Sequence, residues 1–371
     1  MLMIILYHIS LHATRFQLVN EDSILRFGND YFCQPVFFRR LFMIEGLMPF
    51  GTTANSIFLL ISGYFMVERG KGINLGKISK KLVLQVLFAA LLLIIVSFSY
   101  YRIKVPDESF QINMRTMSDF HAMNWFAGYY FLVVVFAGLF LNEFLMKLDM
   151  KKYTCFLLTV FAAFSLTWSG EFLNGFISGL RSLACAIFMY ALGGFIKRFN
   201  PFGSIRLWAL IALIVVLYAF IILSYHNNVG NAVNRYLLET AEADAEKAEL
   251  FLQPITVYGN YELVPVVLSV VLFEIFRRIR IPANSVINFL GSSTFMIYLF
   301  HDNDFWRSIW RESDWIKALS ENPTGYLLKL FGWMAFVFAT GVLVYALYLG
   351  FGRLCSACRG AVIKKDDRIQ S

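Results

Sequence analysis

Charged residues are scarce in this sequence of 371 residues. Asp, Glu, Lys and Arg make up only 16% of it, whereas 58% of the residues are hydrophobic. Ordinary soluble domains contain roughly 25% charged residues, so this composition excludes a soluble enzyme. The hydrophobic residues form blocks of about twenty, and a block of that length crosses the ~30 Å hydrocarbon core as a helix. The sequence therefore predicts an all-α fold, a polytopic membrane bundle of helices.

Cysteine is also scarce. The five cysteines are too few and too scattered for a disulfide framework: Cys33, Cys155, Cys185, Cys355 and Cys358. The last two form a C-x-x-C pair, but no second pair of ligands accompanies it, so no metal site is predicted. The first apolar run lacks the basic n-region and the small-residue cleavage site of a signal peptide. No internal repeat of the kind that marks many transporters is evident.

Ten apolar blocks are predicted to lie in the membrane. The first covers residues 1–11 and, at ~1.5 Å per residue, reaches only about half-way across a bilayer. We therefore expect either a half-span or a helix that begins upstream of the given sequence. The other nine blocks cover residues 47–67, 82–100, 125–145, 153–169, 180–196, 207–225, 257–276, 289–300 and 326–350.

The basic residues outside the blocks indicate the topology. Most of them lie in the loops after even-numbered blocks and in the tail, so the positive-inside rule predicts that both termini are cytoplasmic. The net charge of +8 follows from this bias and requires no nucleic acid. We predict a membrane domain over residues 1–352 with an external insertion at 226–256, and a basic cytoplasmic tail at 353–371. The insertion favours helix and is either a solvated surface helix or a lid over an acceptor.

Residues 288–310 hold the first candidate site. A short apolar helix over 289–300 is followed directly by His301, Asp302 and Asn303, and Arg307 lies one turn further on. Titratable groups packed against a membrane-buried segment are costly unless they have partners, so they mark functional sites. A structural network that closes the helix bundle is the alternative for Asp302.

His8 is the second candidate, because it lies in an otherwise apolar helix. A histidine can take a proton from a hydroxyl and return it to a leaving thiolate, as acyl transfer from a thioester requires. The alternative is a hydrogen-bonded packing histidine. With the N-terminus inside, His8 and His301 both fall in the outer half of the membrane, at similar depth. His12 shares a helix face with His8, but two ligands do not make a metal site.

Other candidate residues lie within or beside the second and later blocks. Gly63 would permit close approach of a backbone or a ligand. Ser62 lacks the G-x-S-x-G elbow of a nucleophile, so we predict that it packs or lines a ligand site. The remaining predicted binding residues are Tyr64, Trp125, Lys77, Lys80 and Lys81. Trp125 is otherwise an interfacial anchor, and the lysines are otherwise ordinary positive-inside residues or contacts to anionic lipid.

Four of these segments resemble the integral-membrane acyltransferase 3 family. They are the Tyr-His pair that ends at His8, Ser-Gly-Tyr-Phe at 62–65, Trp-Phe at 125–126 with Leu-Asn at 141–142, and Ile-Tyr-Leu-Phe-His-Asp-Asn at 297–303. The last is the most specific. The sequence departs from the family in three ways. The family arginine eleven positions before the histidine would precede Met1, so we expect it in an upstream extension; the proline before Leu-Asn is absent; and the inner loop has lysines where many members have arginines.

The resemblance implies a bacterial membrane O-acyltransferase. It implies acetyl-CoA or another acyl-CoA as donor on the cytoplasmic side, a hydroxyl of an envelope or secreted polysaccharide as acceptor, and no bound cofactor. His8 would act as general base, His301 and Asp302 would position the acceptor, and the inner lysines would hold the donor phosphates. Two alternatives remain. Intramembrane titratable groups also mark transporters or lipid-linked sugar flippases, and a third possibility is a non-catalytic component of a polysaccharide assembly complex.

Overall fold

All regular structure in the described part of the chain is helical. The computed structural model describes residues 1–19, 40–41, 43–44, 46–68, 74–106, 125–165, 174–239, 263–279, 282 and 284–369. In chain order the elements are α1 Leu2–Ile9, a π-helical segment Ser10–Arg15, α2 Phe16–Val19, α3 Pro49–Met66, α4 Leu75–Lys104, α5 Trp125–Phe136, a π-helical segment Ala137–Leu141, α6 Asn142–Lys147, α7 Met150–Ser165, α8 Asn174–Phe199, α9 Leu207–Glu239, α10 Leu263–Arg278, α11 Ser285–His301, α12 Asp304–Arg311, α13 Trp315–Glu321 and α14 Pro323–Ile369. The prediction of an all-α fold is confirmed.

Several of these helices are suited to a membrane. Among the described residues, four segments are long and apolar enough to cross it: Leu75–Lys104, Tyr130–Lys147, Ser182–Phe199 and Pro323–Leu354. Leu207–Leu223 is a shorter apolar helix. The protein is therefore a polytopic helical membrane protein. The other predicted blocks coincide at least in part with α1, α3, α7, α10 and α11, and the total of ten spans stays a prediction.

Helix ends differ from the prediction at three places. The first helix does not end at residue 11, because it continues through the π-helical segment and α2 to Val19. Thr14 is accommodated there by a hydrogen bond to the Tyr326 hydroxyl at 3.1 Å. Helix α14 continues without a break across residue 352 into the predicted tail. Helix α9 enters the predicted insertion and ends at Glu239, while residues 240–262 lie outside the described part.

Helix α3 lies at the centre of the bundle, where it packs against α1, α8 and α10. Its contact with α8 depends on two glycines. A Cβ atom at Gly63 would lie 1.8 Å from the carbonyl oxygen of Tyr190, and one at Gly193 would lie 2.1 Å from that of Leu60. The expectation that Gly63 permits close approach is confirmed for a backbone. No larger residue fits at either position without separating the two helices.

Two buried polar networks also hold helices together. Asn142 is buried and donates to the carbonyl of Met66, while its side-chain oxygen accepts from the Tyr190 hydroxyl at 2.9 Å. Glu274 is fully buried in α10 and accepts from both Arg277 and Arg278. Such buried polar groups are stabilising only when they are fully paired. These contacts join α3, α6 and α8, and they close the polar end of α10.

The short helices α12 and α13 clamp the end of the first helix. The Gln17 side chain in α2 donates to the carbonyl of Ser313 at 2.7 Å and accepts from the Trp315 amide at 2.9 Å. Trp315 itself is fully buried. Because α12 follows α11 directly, this clamp holds the C-terminal end of α11 beside α1.

Candidate active site

A buried pair of titratable side chains joins α1 and α11. Nδ1 of His8 lies 2.9 Å from Nε2 of His301, although the two residues are 293 positions apart in sequence. The rings stack with centroids 5.0 Å apart. His301 is 0% exposed and His8 is 8% exposed. The two histidines, which were predicted to lie at similar depth, are thus joined by a direct hydrogen bond.

The neighbours of His301 fix which nitrogen carries each proton. Its Nδ1 lies 2.9 Å from the carbonyl oxygen of Ile297 and 3.0 Å from that of Tyr298. Carbonyl oxygens only accept, so Nδ1 of His301 carries a hydrogen and, in the neutral ring, its Nε2 is an acceptor. The His8 ring must then donate from Nδ1. This arrangement leaves the lone pair on Nε2 of His8, and that nitrogen makes no hydrogen bond to any residue that the structure describes.

Asp302 supplies a negative charge beside this pair. One of its carboxylate oxygens lies 3.6 Å from Nδ1 of His8 and 3.8 Å from Nε2 of His12. The same oxygen accepts from Arg307 at 2.7 Å, and Arg307 also lies 3.8 Å from Asp304. Asp302 is 5% exposed, so its charge is stabilised chiefly by Arg307. The partner that orients His8 directly is His301, with Asp302 further away.

Asn303 shapes the corner between α11 and α12. Its side-chain nitrogen donates to the carbonyl of Phe300 at 2.7 Å, and its side-chain oxygen accepts from the Trp306 amide at 3.2 Å. The second contact is an N-cap of α12. Both ends of the amide are therefore used in the turn that places Asp302 next to His8.

Arg311 adds a further cationic group beside this cluster. Arg311 donates to the carbonyl of His12 at 3.3 Å and stacks on the ring of Phe16 at 3.6 Å. Burial, followed by the positive charge of Arg307, lowers the pKa of Arg311 from its ordinary value, although a guanidinium remains charged at any physiological pH. The region around His8 is thus rich in hydrogen-bond donors.

A cavity of about 260 Å³ lies among α3, α4, α5 and α11. Its polar lining comes from Lys81, Gln85, Tyr130, Ser292, Thr294 and Tyr298. The Tyr298 carbonyl contacts His301, so one wall of the cavity adjoins the histidine pair. The rest of the wall is apolar, from Phe58, Met66, Ile78, Leu82, Val134 and Phe295.

The predicted binding residues have different positions relative to this cavity. Lys81 lines it, while Lys77 and Lys80 are exposed near the same end of α4. Ser62 donates to the carbonyl of Phe58 at 2.9 Å and lies 3.0 Å from the Tyr130 hydroxyl, so it supports the wall. Tyr64 lies elsewhere, with its ring 5.1 Å from the ammonium of Lys197. Trp125 begins α5, and its side chain lies outside the described part.

Gln85 and Tyr298 were not predicted from the sequence as site residues. Gln85 is a lone amide inside the apolar block 82–100, one helical turn after Lys81, and it is 1% exposed. That placement was the available signal, since a polar side chain within a membrane helix needs a partner. Tyr298 lies inside the motif 297–303 and is buried at 4% exposure.

Comparison with known proteins gives one match. The family model described as an acyltransferase domain, of the acyltransferase 3 type, matches residues 1–352. No curated protein and no solved structure matches the chain. Within the described residues, no set of three or more His, Cys, Asp or Glu side chains is arranged to hold a metal ion. The match covers the helices that supply both histidines and the cavity.

Proposed function

Because the chain belongs to the acyltransferase 3 family, we propose that it is a membrane O-acyltransferase with a glycan acceptor. It moves an acetyl group from acetyl-CoA to a hydroxyl of an exopolysaccharide, a capsule or another envelope glycan. The observation that carries this proposal is the hydrogen bond between His8 and His301, which leaves Nε2 of His8 as a proton acceptor. A general base of this kind is what attack by a sugar hydroxyl requires.

The reaction is direct transfer. The acceptor hydroxyl gives its proton to Nε2 of His8 while its oxygen attacks the thioester carbonyl. The tetrahedral intermediate then collapses, the carbon–sulfur bond breaks, and the coenzyme A thiolate takes the proton back from His8. The imidazolium that forms in between is stabilised by the carboxylate of Asp302 at 3.6 Å and by the hydrogen bond to His301.

The two substrates reach this site from opposite sides of a bacterial plasma membrane. The positive-inside bias supports cytoplasmic termini and a cytoplasmic position for Lys77, Lys80 and Lys81. Coenzyme A carries several phosphate charges and does not cross a bilayer, so this basic end of α4 receives it. The acceptor, a polysaccharide or a lipid-linked glycan delivered with its assembly machinery, enters on the outer side near Arg307 and Asn303.

The test is the O-acetyl content of the cell-surface or secreted polysaccharide, measured by proton NMR. A deletion strain is complemented with wild type, with His8→Ala, or with Leu2→Ala as a matched control in an exposed position of the same helix. We expect wild type and Leu2→Ala to restore the acetyl signals and an equally expressed His8→Ala to restore none. If deletion leaves acetylation unchanged but alters export or chain length, the protein is a transporter or an assembly component, and the proposal is wrong.

A further inference from the structure

The side-chain nitrogen of Gln85 is unusual among the described residues of the membrane helices. It is buried and makes no hydrogen bond among the residues that the structure describes. The whole residue is 1% exposed, yet it lines the 260 Å³ cavity. A buried N–H group without an acceptor is destabilising, so such groups are nearly always paired. The cavity is the direction from which an acceptor can come.

The chemistry of the cavity restricts its occupant. Most of the surface area of the wall is apolar, which suits a slender chain of methylene groups. Two polar groups lie on the same face of α4, because Lys81 precedes Gln85 by one helical turn. Lys81 is exposed at the mouth, whereas Gln85 is buried further in. The cavity therefore offers a cation first and then an amide donor along one line.

The position of the cavity relates it to the histidine pair. On α11 its lining extends from Ser292 to Tyr298, and the Tyr298 carbonyl accepts from His301. At ~1.5 Å per residue, Ser292 lies about 13 Å before His301 along the helix axis. A chain that enters beside Lys81 and passes Gln85 thus extends towards His301.

The size of the cavity excludes a bulky ligand. Its volume of about 260 Å³ is below the ~300–1,000 Å³ of sites that hold a whole drug-sized molecule. A nucleotide with its sugar and phosphates does not fit in such a space, but a linear arm does. The arm must carry a carbonyl oxygen at mid-length to accept from Gln85.

We propose that Gln85 is a donor-binding residue that donates a hydrogen bond to an amide carbonyl in the linear arm of a coenzyme A thioester. Lys81 meets a phosphate of the same donor at the mouth of the cavity. This inference rests on the proposed function and adds the residue that recognises the arm. A lipid tail is the poorer occupant, because hydrocarbon offers no acceptor to Gln85.

The test measures binding without turnover. Purified full-length protein in detergent is titrated calorimetrically with coenzyme A and with adenosine 3′,5′-bisphosphate, which carries the nucleotide phosphates but lacks the arm. The variant is Gln85→Met, which is close in shape and has no donor. The control is Val83→Met, which introduces the same side chain at a position of α4 that is 47% exposed.

We expect Gln85→Met to weaken coenzyme A binding about tenfold, as is typical for loss of one buried hydrogen bond. Binding of the bisphosphate should be unchanged, and Val83→Met should resemble wild type with both ligands. Equal affinity of wild type and Gln85→Met for coenzyme A would overturn the inference, and so would equal losses for both ligands, which would indicate general distortion. If wild type itself binds neither ligand, the donor in the proposed function is wrong, and the inference falls with it.

Steady-state kinetics of the same variant separate donor binding from the chemical step. In an acetyl-transfer assay, Gln85→Met should raise the KM for acetyl-CoA about tenfold and leave the KM for the glycan unchanged. We expect kcat to stay within about twofold, since the contact is made in both ground state and transition state. A fall in kcat with an unchanged donor KM would contradict a role in donor binding.

Discussion

Replacing His301 with alanine tests the tautomer argument most directly. His301 supplies the acceptor that holds the Nδ1 hydrogen of His8, across a distance of 2.9 Å between buried rings. Loss of a neutral hydrogen bond corresponds to about 0.5–1.5 kcal/mol, or roughly 2- to 13-fold in rate. The larger effect is on the base, because without that acceptor the proton is free to occupy Nε2 of His8. A positioned general base contributes about 10²–10⁴-fold, so we expect kcat to fall by about 10²–10³-fold.

His301→Gln is the matched variant. Its side-chain oxygen occupies roughly the place of Nε2 and accepts from Nδ1 of His8, so the useful tautomer is kept. We therefore expect kcat within about tenfold of wild type. If His301 had only a structural role, kcat of His301→Gln should be no higher than kcat of His301→Ala, because glutamine disturbs the buried end of α11 no less than alanine does.

The assay is transfer of radiolabelled acetyl groups from acetyl-CoA to the glycan, with purified protein and both substrates saturating. Melting temperatures in detergent show whether each variant is folded, since His301 is 0% exposed. Ser293→Ala removes another fully buried polar group from α11 and should leave kcat unchanged. A folded His301→Ala with kcat within threefold of wild type would refute the reasoning, as would equal losses for alanine and glutamine.

Three further substitutions test other contacts. Asp302→Asn should lower kcat about 10–100-fold and also lower the melting temperature, because Arg307 then lacks the carboxylate that lies 2.7 Å away. Adding Arg307→Gln should restore the melting temperature but not kcat. Recovery of both would contradict the electrostatic role of Asp302. Gly63→Ala should destabilise the fold by about 2–3 kcal/mol, since its Cβ would meet the next helix, whereas Gly291→Ala has open space and should be neutral; detergent melting distinguishes the two. Glu274→Gln should lower the free energy of unfolding by about 2 kcal/mol. This is less than for a fully enclosed ion pair, because the side chains of Arg277 and Arg278 are 21–22% exposed. An unchanged melting temperature would show that the pairing is dispensable.

The helices could be predicted from the sequence because apolar blocks of membrane length permit few alternatives. Each predicted block overlaps a helix of the structure, although α4, α9 and α14 extend well beyond the ends of their blocks. The errors lie where polar residues continue a helix. The first predicted block ends too early, at residue 11, because polar residues follow it. One of them, Thr14, has its hydrogen-bond partner Tyr326 312 positions away, where a local pattern cannot show it.

The site could be predicted in part, for a similar reason. His8, His301 and Asp302 stand out because titratable groups are costly near a membrane interior. Their mutual geometry depends on how α1 packs, which no spacing rule gives. The structure places Nε2 of His301 closer to Nδ1 of His8 than the Asp302 carboxylate, at 2.9 Å against 3.6 Å. Gln85 carried a signal in the sequence, as a lone amide inside an apolar block, but only the structure shows the cavity beside it.

The geometry of α11 explains why the most specific motif is so short. Within one helical turn, the Tyr298 carbonyl holds His301, His301 holds His8, and Asp302 follows at the helix end. Tyr298 also lines the cavity that contains Gln85. Under the proposed function, one turn of helix therefore joins the end of the donor path to the general base. A shift of that turn by a single residue would rotate His301 by about 100° away from His8, so donor position and base activation cannot be altered separately along this segment.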